Sequence, residues 1–166
     1  MNEFRKAPSD CIIRQLRPDE YGIVRDFLYE AIFVPAGTVA PARDVVYEPY
    51  LRIYHEDFGT GCQDRAWCAQ VGTDIIGCIW CRKTTTGYGS VAEEFPELAM
   101  SVKPSFREYG IGTQLLHAML QDLEKDQCPG ISLSVQKANY AYKMYLKAGF
   151  RVVRETDEEY IMVWKA

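Results

Sequence analysis

Two glycines near the middle of the chain, Gly110 and Gly112, lie where a strand-like segment gives way to a helix-like one. The strand-like run PELAMSV occupies residues 96–102, and apolar residues recur at helical spacing over 111–123. The first N–H groups of a helix have no partner within it, and the helix dipole favours an anion at that end. Glycine lets the backbone approach such an anion closely. The spacing therefore predicts a binding site for a diphosphate group.

Two common phosphate-binding loops do not fit these residues. A dinucleotide-binding fingerprint needs a third glycine where Leu115 stands, and an acidic residue about 20 positions downstream, near Ser132. A P-loop needs Lys and then Ser or Thr after its last glycine, whereas Thr113 and Gln114 follow Gly112. Both of these classes of nucleotide-binding protein are therefore excluded.

Two motifs resemble those of the GNAT acetyltransferases. The first is V-x-P followed by R/Q-x-x-G-x-G/A, which this chain carries as Val102-Lys103-Pro104 and residues 107–112. The second is N-x-x-A-x-x-x-Y-x-K-x-G-F, which is matched by Asn139, Ala141 at a small offset, Tyr145, Lys147, Gly149 and Phe150. The motifs occur in the family's order and separation, and with the helix pair ahead of them the resemblance covers nearly the whole chain.

The resemblance implies a cofactor, acetyl-CoA, which acts as the acyl donor. Its pantetheine would run along the strand at 99–102, and its pyrophosphate would bind the amides of 107–113. The residues implied in cofactor binding are Met100, Ser101, Val102, Arg107, Glu108, Tyr109, Gly110, Ile111, Gly112, Thr113, Asn139 and Tyr145. The Arg107 side chain could equally be a solvated surface residue.

Tyr145 is the residue that the resemblance implies as general acid, because family members use a tyrosine here to protonate the departing CoA thiolate. A phenol with a pKa of about 10 is suited to donate a proton to a thiolate as the C–S bond breaks. The alternative is a core aromatic residue, since Ala141, Met144, Tyr145 and Ala148 share one helical face.

Glu97 resembles the glutamate that many family members place on the motif strand, where it would take the proton of the attacking amine. Glu97 also follows Pro96 near the strand start, where a glutamate can simply face solvent. Some relatives carry a glutamate on the next strand, at a position that Ser134 occupies in this chain. Water is therefore the alternative acceptor of the proton, and Ser134 could orient that water.

The resemblance implies an acceptor pocket between the first two helices and the polar loop at 84–94, which flank the thioester end of the cofactor in the family. Its predicted lining is apolar or aromatic, from Phe33, Tyr47, Tyr50 and Tyr54, and Glu30 or Glu48 is available to hold a cation. Aromatic residues at helical spacing are also typical of a core. The predicted function is transfer of an acetyl group to a primary amine of a small molecule. The alternatives are a protein or peptide N-acetyltransferase, or a CoA-binding sensor without turnover.

Composition limits the partners. With 166 residues, 48% hydrophobic and 25% charged, the chain fits one globular domain over 1–166. A net charge of −4 provides no positive field that would attract nucleic acid.

The sequence also favours the cytoplasm. Residues 1–10 lack the apolar run of a signal peptide, and no segment is long enough to span a membrane, so no membrane partner is expected. A metal site is not expected, because Cys78 and Cys81 would point to opposite faces of a strand.

The fold class predicted from these elements is α/β. The GNAT resemblance implies a mixed, mostly antiparallel central sheet flanked by helices and splayed between the two motif strands. Helices are predicted over 21–34 and 42–58 before the first motif, and a hairpin over 65–83. Terminal strands are predicted at 150–154 and 159–164. The protein is expected to be a monomer, or a homodimer that pairs through these strands.

Overall fold

Seven strands form one sheet in the order β1-β2-β3-β4-β5-β7-β6 in the computed structural model, which describes residues 6–166. Part of the N-terminal segment considered for a signal peptide, residues 1–5, lies outside the described residues. The strands are β1 (Cys11–Gln15), β2 (Arg65–Val71), β3 (Asp74–Arg82), β4 (Glu97–Val102), β5 (Gly130–Gln136), β6 (Arg151–Glu155) and β7 (Glu159–Lys165). All neighbours are antiparallel except β4 and β5. The predicted α/β class and mixed sheet are confirmed.

Helices cover both faces of this sheet. They are α1 (Val24–Ala31), α2 (Pro49–Arg52), α3 (Ile111–Lys125) and α4 (Ala141–Lys147), with short 3-10 turns at Pro18–Ile23, Arg43–Tyr47 and Pro104–Phe106. The helix α3 packs on β2, β3 and β4, and α1 packs on β4 and β3. Two apolar cores result, one on each face of the sheet.

The strand β3 contributes to both cores because its side chains alternate between the faces. Ile79 and Cys81 belong to the core under α3, whereas Cys78 and Trp80 belong to the core under α1. The interpretation that Cys78 and Cys81 point to opposite faces is confirmed. The strand β3 is paired on both sides, with β2 and with β4.

The strands β4 and β5 meet at a single residue pair and then part. Glu97 lies opposite Ser132, and the Ser132 N–H donates to the Pro96 carbonyl at 3.0 Å. On its other side β4 pairs with β3 over its whole length, from Glu97 to Val102. Backbone groups alternate in direction along a strand, so those of Leu98 and Met100 face the gap towards β5. The predicted splay between the motif strands is confirmed.

The predicted helix over 42–58 is wrong. A 3-10 turn at Arg43–Tyr47 and the one-turn helix α2 replace it, and Glu48 between them is extended with φ −60° and ψ 142°. The cause is Pro49, because a proline ring disfavours the helical conformation of the residue before it. The predicted helix over 21–34 is also shorter, since α1 ends at Ala31 and Ile32 is already extended.

A charged cluster joins β1 to the turn that precedes α1. The Glu20 carboxylate accepts two hydrogen bonds of 2.8 Å from the Arg14 guanidinium, and it also accepts one of 2.9 Å from the Arg17 N–H. These hydrogen bonds, those from Arg14 above all, lower the pKa of Glu20 to about 2. The ionised carboxylate therefore stabilises the entry to α1.

The substitution Glu20→Gln should destabilise the fold at neutral pH and lose its effect in acid. Because the folded-state pKa lies below the unfolded-state value, the contribution is fully present above pH 4.5 and disappears as pH falls towards 2. We expect about 1 kcal/mol at neutral pH, since solvent screens a pair near the surface. Urea unfolding of both proteins across this pH range measures the difference.

The matched control is Glu56→Gln, because Glu56 lies 3.9 Å from Arg52 in an exposed ion pair. It should change the free energy of unfolding little at any pH. An equal loss from both variants would mean that the Glu20 cluster has no special contribution.

Candidate active site

The helix α3 begins with free backbone N–H groups. Gly110 precedes it in the left-handed conformation, with φ 76°, and no side chain caps the first turn. Space is open beside Gly110, where a Cβ atom would meet nothing within 4 Å. The first turn contains no acidic side chain that could compete for these N–H groups. The start of α3 therefore has the geometry of a helix end that favours an anion.

A surface cavity of about 380 Å³ lies against this helix start, lined by Gly110, Thr113, Gln114 and His117. Gly112 faces inwards instead, where a Cβ atom would lie 3.5 Å from the Met144 sulfur and 3.6 Å from Met100 Cε. The start of α3, the strand β4 and the helix α4 therefore meet at Gly112.

Arg107 does not point into the helix start. Its Nε donates to the Val102 carbonyl at 3.0 Å, and its Nη2 donates to the Glu30 carbonyl at 3.4 Å. The guanidinium also lies 3.9 Å from the Glu30 carboxylate, which in turn lies 3.8 Å from Arg43. Arg107 and Glu30 thus connect the end of β4 to α1.

The remaining residues of the first motif have mainly structural contacts. The Ser101 hydroxyl is buried and donates to the Phe27 carbonyl of α1 at 2.6 Å. Glu108 has a positive φ of 67°, which helps to turn the chain into α3. Ile111 is buried and Tyr109 packs against the core under α3. The N–H of Ile111, in the first turn of α3, is one of the backbone groups that have no partner within the helix.

Tyr145 lies on α4 in the core under α3, with 7% of its surface exposed. Its ring packs against Phe150 at 5.5 Å between centroids. Burial raises the pKa of the Tyr145 hydroxyl well above 10, so the hydroxyl remains protonated at neutral pH. Within residues 6–166 the hydroxyl makes no hydrogen bond. Asn139, predicted as a cofactor residue, accepts a hydrogen bond from the Ala141 N–H at 3.0 Å and so begins α4.

Glu97 is buried, with 3% of its surface exposed, and does not face solvent. Its Oε1 accepts hydrogen bonds from the Tyr54 hydroxyl at 2.6 Å and from the Gly89 N–H at 2.7 Å. Its Oε2 accepts one from the Thr84 hydroxyl at 2.7 Å. The Tyr88 N–H donates to the Tyr54 hydroxyl at 2.8 Å. The carboxylate therefore holds the loop at 84–94 against the sheet.

The same loop also covers β5 beside the point where β4 and β5 part. A Cβ atom at Gly89 would lie 2.5 Å from the backbone of Leu133 and Ser134, so only glycine allows this approach. The Ser132 and Ser134 hydroxyls are buried there, and neither has a hydrogen-bond partner in the described part of the chain. Sequence spacing gave no signal for the contacts of Thr84 and Gly89, because they depend on the path of the loop.

The predicted acceptor residues do not form one cluster. Tyr47 is half exposed and accepts a hydrogen bond from Arg25 at 3.1 Å. Phe33 lies partly exposed beyond the end of α1, and Glu30 is paired as described. Tyr50 contacts Tyr88 of the loop, at 6.3 Å between ring centroids. Of the four, Tyr50 contacts the loop that Glu97 holds.

A family model described as Acetyltransferase (GNAT) family matches residues 28–150. The chain belongs to this family. Comparison with curated protein sequences found no match.

Solved structures of GNAT proteins share its fold. The Thermoplasma acidophilum PaiA N-acetyltransferase in complex with coenzyme A is 18% identical, with TM-score 0.66 over 94% of this chain and 99% of the other. The Salmonella typhimurium protein yncA, with its cofactor acetyl-CoA, is 14% identical, with TM-score 0.66 over 95% and 94%. A GNAT acetyltransferase from Streptococcus pneumoniae is 15% identical, with TM-score 0.65 over 93% and 98%.

Cysteines adjoin the motif strand of this GNAT protein in space, although not in sequence. Cys78 lies opposite Ser101 and Cys81 opposite Leu98. Burial raises the pKa of both thiols, so neither is a thiolate at neutral pH. These cysteines are therefore packing residues.

In residues 6–166 of the GNAT protein, no group of three His, Cys, Asp or Glu side chains could hold a metal ion. No helix in the same range has the length and apolar character that crossing a bilayer requires.

The loop contact of the GNAT protein can be tested with Gly89→Ala. The added methyl group must displace the backbone of β5, so we expect a loss of about 1–3 kcal/mol in the free energy of unfolding. Urea denaturation measures it. The control Gly22→Ala adds the same group where nothing lies within 4 Å, and it should be neutral. Equal stability of the two variants would contradict the packing of the loop on β5.

Proposed function

We propose that this protein transfers the acetyl group of acetyl-CoA to the primary amine of a small molecule by direct attack. The observation that carries the proposal is the parting of β4 and β5 beside an uncapped helix start. A strand edge with free backbone groups can pair with an amide-containing chain, and the helix start can bind a diphosphate. These are two of the features that distinguish coenzyme A from a simple thiol.

The fit to the cofactor follows from the residues at the gap. The backbone of Leu98 and Met100 would pair with pantetheine, and the amides of 110–113 would bind the pyrophosphate. The two features meet at Gly112, where the atoms nearest to an added Cβ belong to Met144 and Met100. When bound, acetyl-CoA supplies the acetyl group as a thioester.

The reaction requires two proton transfers. The amine nitrogen attacks the carbonyl carbon, the C–S bond breaks, and the thiolate receives the Tyr145 proton. Tyr145 carries its proton throughout the neutral range, which a general acid requires. A backbone N–H on β4 would stabilise the negative charge on the carbonyl oxygen.

The proton that the amine loses has two proposed acceptors, Glu97 and water. Glu97 already accepts three hydrogen bonds, so direct contact with the amine requires the loop to move. The buried Ser134 hydroxyl, which has no partner within residues 6–166, supports a bound water at the gap. The loop at 84–94 lies over this place, which favours a small acceptor.

Acetyl-CoA should raise the thermal unfolding midpoint, and Gly110→Asp should abolish the rise. Acetyl-CoA raises the midpoint because it binds the folded protein and not the unfolded chain. The substitution places a negative charge where the diphosphate would bind, so the two groups repel each other. The control is Gly72→Asp, because Gly72 also has a positive φ and open space but lies in the β2–β3 turn. It should keep the full rise. NADH should have no effect, and no rise in the parent protein would contradict the cofactor assignment.

Tyr145→Phe should lower kcat about 100-fold or more while acetyl-CoA binding and stability stay close to those of the parent. The ring that packs on Phe150 remains, and the lost hydroxyl bonds to no group in the described range. Steady-state release of coenzyme A measures kcat. The control Tyr142→Phe removes a hydroxyl from the same helix and should leave kcat unchanged. An unaltered kcat in Tyr145→Phe would make Tyr145 a packing residue only.

A further inference from the structure

Tyr50 and Tyr88 form an exposed aromatic pair beside the Glu97 network. Their rings meet edge to face, with 88° between the ring planes, and the two residues are 49% and 48% exposed. Tyr88 is fixed in place because its N–H donates to the Tyr54 hydroxyl, which donates to Glu97. The pair thus lies at the outer side of the loop that covers the proposed reaction site.

Tyr50 and Tyr88 differ in their surroundings from the two other exposed tyrosines, Tyr47 and Tyr140, each of which has a cation over its ring. A cationic side chain lies over the ring of each of Tyr29, Tyr47, Tyr140 and Tyr160, at 4.7, 5.9, 4.5 and 5.2 Å from the centroid. Across residues 6–166, no Lys or Arg lies over Tyr50 or Tyr88. An aromatic ring attracts a cation through its electron-rich face. The face of this pair therefore remains available to a cation from outside the chain.

A carboxylate adds negative charge next to the pair. Glu159, at the start of β7, lies opposite Gln136 of β5 and points away from the core under α3, because its neighbour Tyr160 packs against that core. Gly89, which follows Tyr88, lies against the backbone of Ser134, two residues before Gln136, so the start of β7 is beside the loop that carries Tyr88. Burial raises the pKa of the Tyr88 hydroxyl, and the charges of Tyr50 and Glu159 add to the rise. In the described chain the Glu159 carboxylate makes no ion pair or hydrogen bond.

We propose that Tyr50, Tyr88 and Glu159 bind a second cationic group of the acceptor, so that the preferred substrates are small amines with a positive charge apart from the reacting nitrogen. This inference rests on the proposed acetyl transfer. The reacting nitrogen must be neutral to attack, so it cannot supply the charge that these residues would recognise. A second amino or guanidinium group on the same molecule supplies it.

The test compares a linear aliphatic diamine with the linear monoamine of equal length. The measured quantity is the ratio of their kcat/KM values for coenzyme A release. The diamine should be preferred in the parent protein, and Tyr50→Leu, Tyr88→Leu and Glu159→Gln should each reduce the preference about 3- to 10-fold. Tyr88→Phe keeps an aromatic ring and should retain most of it. The control Tyr140→Leu removes a more exposed tyrosine and should not change the ratio.

A second measurement separates failure of this inference from failure of the proposed function. The thermal midpoint is recorded with each amine in the presence of coenzyme A, where no transfer can occur. If both amines are acetylated with equal kcat/KM in all variants, acetyl transfer stands and the cation site is overturned. If neither is acetylated, the proposed function fails. A larger midpoint rise with the diamine, lost in Tyr88→Leu, would then still support the cation site, and equal or absent rises would overturn it.

Discussion

The parting of β4 and β5 is the constraint on which the site depends. The two strands share one residue pair, Glu97 with Ser132, and beyond it the edge of β4 has no strand to pair with. The free edge does not weaken β4, because β3 pairs with its other side along its whole length. A rigid strand therefore presents unsatisfied backbone groups, which is the requirement for a precise binding edge. The start of α3 lies at the end of the same strand, so two ligand-binding features share one support.

Sequence reasoning located the start of α3 because the relevant constraints are local, whereas the parting of β4 and β5 was implied by the GNAT resemblance alone. A glycine that must adopt a positive φ, such as Gly110, and a helix that follows a strand both leave a pattern in consecutive residues. The same reasoning failed over 42–58, where apolar spacing indicated one helix and a single Pro49 broke it. It also gave no information on Thr84 and Gly89. Their contact with Glu97 joins residues on a loop and a strand whose separation in sequence carries no periodic signal.

Two charged residues of the motifs have contacts that their residue type alone would not suggest. Arg107, next to the anion position, directs its guanidinium to the Val102 and Glu30 carbonyls. Glu97, on the motif strand, directs its carboxylate to a tyrosine, a threonine and a backbone amide. In both cases the side chain joins separate segments of the chain around the gap. The positions that a ligand would occupy are then lined mainly by backbone groups, which cannot be changed by substitution without changing the fold.

The distribution of the six cysteines makes the protein suited to labelling at one position. Four are buried and Cys11 is partly covered, whereas Cys62 is exposed. The thiolate is the reactive form, and burial raises the pKa of the Cys68, Cys78 and Cys81 thiols. A maleimide dye should therefore attach first at Cys62. The adjoining segment is fixed by Asp64, which binds the Gly59 and Gly61 amides and lies 3.1 Å from Arg82. A fluorophore placed there would report on the tumbling of the whole molecule.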